Sequence, residues 1–177
     1  MRYQLCLWDP DRHGPLPATA DAATEMAERL SNITDSWNLT LAQFADKLAE
    51  RHAADPNVLQ EPGAFQAFWG GDPHQSAATC RQAVYRLVIP ADPCTRQIAH
   101  AVAAAAELGL VLVDDETGTC FLPDGTLLPE DARAMWEFDL AEMDAPPRDP
   151  ALGDGRTWLE RLGGELFNAI GRGNKRN

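Results

Sequence analysis

The sequence predicts an α+β domain built on a mostly antiparallel sheet of four or five strands. Two patterns predict it. Short runs alternate with a period of two, as in Tyr3-Gln4-Leu5-Cys6-Leu7-Trp8, while segments between them carry apolar residues at helical spacing, as in Ala22, Met26 and Leu30. Turn signals such as Asp9-Pro10, Pro62-Gly63 and Pro123-Asp124-Gly125 separate the two kinds.

The first strand spans residues 3–8, and Asp9-Pro10-Asp11 stops it. Thr19 then caps a helix running to about Ser31. A second helix starts near Asn38 or Thr40, places Leu41, Phe44, Ala45 and Leu48 on one face, and ends at Pro56-Asn57. The turn-rich stretch 60–75 holds an aromatic run, Phe65 to Trp69, that is expected to form a brief strand. Residues 82–89 alternate again and close at Pro90, and because both faces read as largely apolar this strand is expected at the centre of the sheet.

Thr95 is the expected cap of a helix striped by Ile98, Val102, Ala105 and Leu108, which Gly109 stops as a left-handed residue. Leu110 to Val113 forms the next strand, Asp114 to Gly118 turns, and residues 119–122 return as its hairpin partner. An acidic helix follows from Pro129 to Met143, with Glu130 and Asp131 suiting the positive end of its dipole. This order gives a sheet with helices on one face, close to a ferredoxin-like sandwich. Residues 1–144 form the domain, residues 145–155 a Pro/Gly-rich linker, and residues 156–177 a basic amphipathic segment.

A chain of 177 residues can bury a core without staples, and 45% hydrophobic content lacks the signature of disorder. No apolar run approaches the ~20 residues of a membrane span, and the N-terminus has no long apolar leader, so a cytoplasmic protein is expected. Cys6, Cys80, Cys94 and Cys120 are scattered and read as free thiols, mostly buried. The net charge of −12 argues against nucleic acid and for a basic protein partner. After position 155, five cations oppose two carboxylates, so the preceding body carries −15.

Chemistry is sparse. His13, His52, His74 and His100 lie far apart without a metal-ligand spacing, and no phosphate-binding glycine loop or nucleophile elbow occurs, so no cofactor or metal is expected. His74 and Cys80 could form a base–nucleophile pair, but a packed thiol is the stronger reading. Asp114 and Asp115 could form a carboxylate pair. Neighbours on a strand point to opposite faces, however, and the following Glu-Thr-Gly reads as turn chemistry. The densest carboxylate stretch contains Asp131, Glu137, Asp139 and Glu142, with Trp136 and Phe138 among them. A solvated helix face is the simpler reading, and a docking patch anchored by Trp136 is the functional one.

The opening Tyr3-Gln4-Leu5-Cys6-Leu7-Trp8-Asp9-Pro10 and the later Gly109-Leu110-Val111-Leu112-Val113-Asp114 resemble small bacterial proteins of the immunity type associated with secreted toxins, over residues 1–125. The resemblance implies a binding protein rather than an enzyme. The acidic charge then makes a basic toxin the expected partner, neutralised through acidic side chains, and the carboxylate stretch and the Asp114-Asp115 pair supply the expected contact residues: Asp131, Trp136, Glu137, Asp139, Glu142, Asp114 and Asp115. The alternatives are an adaptor or chaperone for a secreted effector, docking through its C-terminal segment, and an enzyme of unrecognised type using His74, Cys80, Asp114 and Asp115.

Overall fold

The computed structural model describes residues 3–35, 38–58, 60–90 and 93–143. The linker 145–155 and the basic segment 156–177 lie outside the described residues. Among those described, the chain forms seven helices and one five-stranded antiparallel sheet, the expected α+β class.

Strand β1 (Tyr3–Trp8) leads into a short helix α1 (Pro10–His13) and then α2 (Ala20–Ser31) and α3 (Asn38–Ala54). Two short helices follow, α4 (Ala64–Trp69) and α5 (Pro73–Thr79), before strand β2 (Tyr85–Ile89). Helix α6 (Thr95–Glu107) then precedes strands β3 (Val111–Asp114), β4 (Thr119–Phe121) and β5 (Leu127–Leu128), and α7 (Ala132–Met143) closes the fold.

The local signals acted as expected at several points. Thr19 Oγ1 accepts the Ala22 N–H at 3.2 Å, which satisfies one of the amides that α2 leaves without a helical partner. Gly109, at φ +71°, follows α6 in the left-handed region. The cap of α6 is Cys94 rather than Thr95: its N–H donates to Gln97 Oε1 at 2.8 Å. The aromatic run expected as a strand is α4, because Phe65, Phe68 and Trp69 at helical spacing all reach the core.

The sheet order is β2-β1-β3-β4-β5. Strand β1 therefore sits between β2, with Leu5 opposite Leu87, and β3, with Leu7 opposite Leu112. The segment 82–89, expected at the centre, supplies one of the two edge strands. Its second face holds Arg86 and a 37% exposed Val88 rather than a continuous apolar surface. Because β1 and β2 are antiparallel neighbours, the path also differs from the split βαβ of a ferredoxin-like sandwich.

Helices cover both faces of the sheet rather than one. Tyr3, Leu5, Leu7, Leu87 and Leu112 pack toward α3, α4, α5 and α6. Cys6, Trp8, Val111, Val113 and Cys120 face the opposite way, where Ala23, Ala27 and Leu30 of α2 cover them. The reason is already visible in β3, whose four residues are all buried, as a strand covered on both sides must be.

Candidate functional site

The β3–β4 turn is built on Asp114. Its Oδ1 accepts the N–H groups of Glu116 at 3.0 Å and Thr117 at 3.3 Å, while the Tyr3 hydroxyl donates a hydrogen bond to Oδ2. Burial raises the Asp114 pKa against these hydrogen bonds, and burial together with the Asp114 charge raises that of Tyr3. Asp115 turns the other way. Its Oδ2 meets Arg86 Nη1 at 3.2 Å and accepts from Cys6 Sγ at 3.3 Å. The two carboxylates are therefore split between two separate networks.

Arg86 gathers this second network. It donates to Gln4 Oε1 at 3.1 Å and to Ser31 Oγ at 2.7 Å, so its guanidinium is committed on the α2 side of the sheet. Burial, and then the nearby Asp115, push the Cys6 thiol up to about 12.

The strand register collects carboxylates at one end of the sheet. Asp114 pairs with Thr119 across the β3–β4 turn, and Leu128 pairs with Cys120, so β5 ends beside that turn. Glu116 and the Glu130-Asp131 pair that follows β5 are thereby carried to the same end, exposed and without an ion pair among the described residues. Asp114 is buried beneath this turn, Asp115 faces Arg86 beside it, and Asp131 is exposed after β5.

Helix α7 separates the rest. Glu137 is exposed and lies 3.7 Å from Arg133. Asp139 is buried and Glu142 half-buried, so they do not share that outer face. Trp136 packs inward, its ring 5.1 Å from that of Phe121 in an edge-on arrangement, whereas Phe138 is 48% exposed. Trp136 is thus a half-buried contact of the core, and the exposed ring on α7 is Phe138.

His74 and Cys80 stand at opposite ends of α5, about 9 Å apart along its axis at 1.5 Å per residue. The His74 Nε2 lies 3.1 Å from Asp46 Oδ1, and Cys80 Sγ points at the Gln82 and Val84 carbonyls. They form no pair.

One polar cluster escaped the sequence reading. Asp55 Oδ2 accepts from Arg96 Nη1 at 2.8 Å and stands 2.9 Å from His100 Nε2, and its Oδ1 accepts the Asn57 N–H at 2.9 Å. Arg96 also donates to the Met143 carbonyl at 2.9 Å, tying α6 to the end of α7. Burial opposes the Asp55 charge, but the Asn57 amide, Arg96 and His100 outweigh it and lower the Asp55 pKa. Burial lowers that of His100 against the pull of Asp55. The available signals were Arg96 and His100 four residues apart on one helix face, and Asp55 before a Pro-Asn turn.

Among the described residues, no three or more His, Cys, Asp or Glu side chains are grouped to hold a metal, and no helix is long and apolar enough to cross a membrane. No family model, curated protein or solved structure matches the chain.

Proposed function

We propose that this chain is an immunity-type protein that binds and neutralises a basic bacterial toxin through its acidic surface. The observation that carries the reading is the imbalance of paired and unpaired charge. Arg12, Lys47, Arg51, Arg86, Arg96 and Arg133 each face a carboxylate within the fold, whereas Glu116, Glu130 and Asp131 at the sheet end face none among the described residues. These six cations are neutralised locally. What projects into solvent at that end is negative, which attracts a cationic surface and steers its approach.

The rim is also well supported from beneath. Asp114 holds the turn that presents Glu116, and Phe121 and Trp136 anchor the strand and helix that flank Glu130 and Asp131. A preorganised rim loses little conformational freedom on binding.

The test is association kinetics with the basic toxin encoded beside the gene, at low salt and at about 0.5 M, where the Debye length falls toward ~4 Å. A variant carrying Glu116→Gln, Glu130→Gln and Asp131→Asn should associate at least about ten-fold more slowly at low salt, with little change in dissociation. Trp136→Ala serves as a contrast, lowering stability through the lost Phe121 contact. Salt-independent association, with the triple variant equal to wild type, would move the interface off this rim.

A further inference from the structure

The hydrogen bonds of β1 fix which way the main chain of β2 faces. The Gln4 carbonyl accepts the Asp115 N–H at 3.3 Å, so the main-chain groups of Gln4, Cys6 and Trp8 face β3 and those of Tyr3, Leu5 and Leu7 face β2. Leu5 stands opposite Leu87 and Tyr3 opposite Ile89, so β1 consumes the main-chain groups of Leu87 and Ile89. Those of Arg86 and Val88 point outward. No described strand pairs with them, because β2 ends the sheet.

A protein usually blunts such an edge by covering it. Here the neighbouring chain stands off instead. Between the outer side of residues 86–90 and the α4–α5 turn, residues 69–73 with Ser76, lies an open cleft of about 340 Å³. Its floor is apolar, with Trp69 and Ile89 almost fully buried. Gly70 turns the chain at φ +68° against Pro90, and a side-chain carbon built on Gly71 would meet nothing within 4 Å. On the α4–α5 side the opening is therefore bounded by bare main chain.

The charge of the cleft is one-sided. Asp72 Oδ1 takes the His74 and Gln75 amides and lies 3.6 Å from His74 Nδ1, while its Oδ2 has no hydrogen bond among the described residues. Asp46 lies beyond it across His74, with its side chain 65% exposed. Among the described residues, the one cation lining the cleft, Arg86, sends its guanidinium to Ser31, Gln4 and Asp115 on the opposite face. Unpaired outward donors and acceptors suit an extended strand, and two carboxylates that share the single His74 imidazole suit a cationic one.

We infer that the free edge of β2 takes an extended, lysine- or arginine-bearing segment of the basic partner, which adds to the sheet beside Arg86 and Val88. One of its alternate side chains enters the cleft over Trp69 and a cation reaches Asp72. This rests on the reading of a cationic partner and adds a second contact to the acidic rim. The short pairable stretch, closed by Pro90, limits the addition to a few residues and keeps the edge from propagating a longer sheet.

The probe is a synthetic peptide of about eight residues alternating lysine and valine, titrated into the full-length, isotope-labelled protein. The amide resonances of Arg86 and Val88 should shift and become protected from solvent exchange, with Gly70 and Gly71 moving alongside. Methylating alternate amides of the peptide should weaken binding about ten-fold or more, since one or two main-chain hydrogen bonds are lost without touching the protein. Val88→Pro, which removes an outward N–H that β1 does not use, should do the same. A peptide with glutamate in place of lysine should not bind. Binding that leaves Arg86 and Val88 unmoved, or that survives methylation, refutes strand addition while leaving the cationic partner intact. Failure of the lysine peptide to bind, together with salt-independent toxin association, removes both. Protection of the Arg86 and Val88 amides in a dimer of the free protein would mean that a second copy owns the edge, and would also refute the proposal.

Discussion

Replacing Asp55 by alanine tests the buried cluster that joins α3, α6 and α7. The substitution removes the acceptor of Arg96 Nη1 at 2.8 Å, the partner of His100 Nε2 at 2.9 Å and the acceptor of the Asn57 N–H. Breaking a buried pair from one side costs about 3–5 kcal/mol because the remaining charge is stranded. The Arg96 side chain keeps its bond to the Met143 carbonyl and is 15% exposed, which relieves part of that cost. The expected loss is therefore about 2–4 kcal/mol. That is a large share of a total near 5–15 kcal/mol. It corresponds to a fall in melting temperature of roughly 5–15 °C for a domain of this size. The sign with pH follows from the depressed Asp55 pKa: its stabilisation is present above the unfolded carboxylate range and is lost as pH falls through the folded value. Urea titrations followed by tryptophan fluorescence should show the full gap at neutral pH and a smaller one near pH ~3, with an unchanged slope. A loss under about 1 kcal/mol at neutral pH would show that Asp55 behaves as a surface carboxylate and that the cluster holds nothing together.

Two further substitutions or labels probe the rim and the sheet. Asp114→Asn keeps an acceptor for the Glu116 and Thr117 amides and removes a charge that burial disfavours, so at neutral pH it should cost under about 1 kcal/mol. Asp114→Ala strands those amides and the Tyr3 hydroxyl and should cost about 1–3 kcal/mol. Calorimetric melts giving equal losses for both would contradict the turn-holding role. Because the folded Asp114 pKa is raised, its contribution runs opposite to that of Asp55: the burden of the charge is present above the folded value and is relieved as pH falls through it. With burial pushing both Cys6 and Cys120 up to about 12, iodoacetamide on the native chain should label exposed Cys94 well before either of them. Peptide mapping that finds Cys6 labelled as fast as Cys94 would overturn the packing of the α2 face.

Features whose causes lie within a few neighbouring residues were legible in the sequence. The alternation of residues 3–8, the Thr19 cap and the Gly109 stop each follow from a periodicity or a single backbone conformation, and each appears where the residues place it. The acidic balance and the turn at Asp114 were legible for the same reason, since charge is additive and an Asx turn spans three residues. What only the tertiary structure decided involves residues distant in the chain. Asp55 finds Arg96 and His100 about forty positions away, and Arg86 finds Gln4 and Asp115 across two strand pairings. Short amphipathic runs were settled there too: Phe65 to Trp69 fits a strand or a helical turn, and the core required the turn. The place of 82–89 at the edge, with its outward Arg86 and Val88, depends on which strands reach β1 first. Local composition fixes the form of an element, whereas its neighbours are chosen by the burial of both sheet faces at once, a condition on the whole chain rather than on any stretch of it.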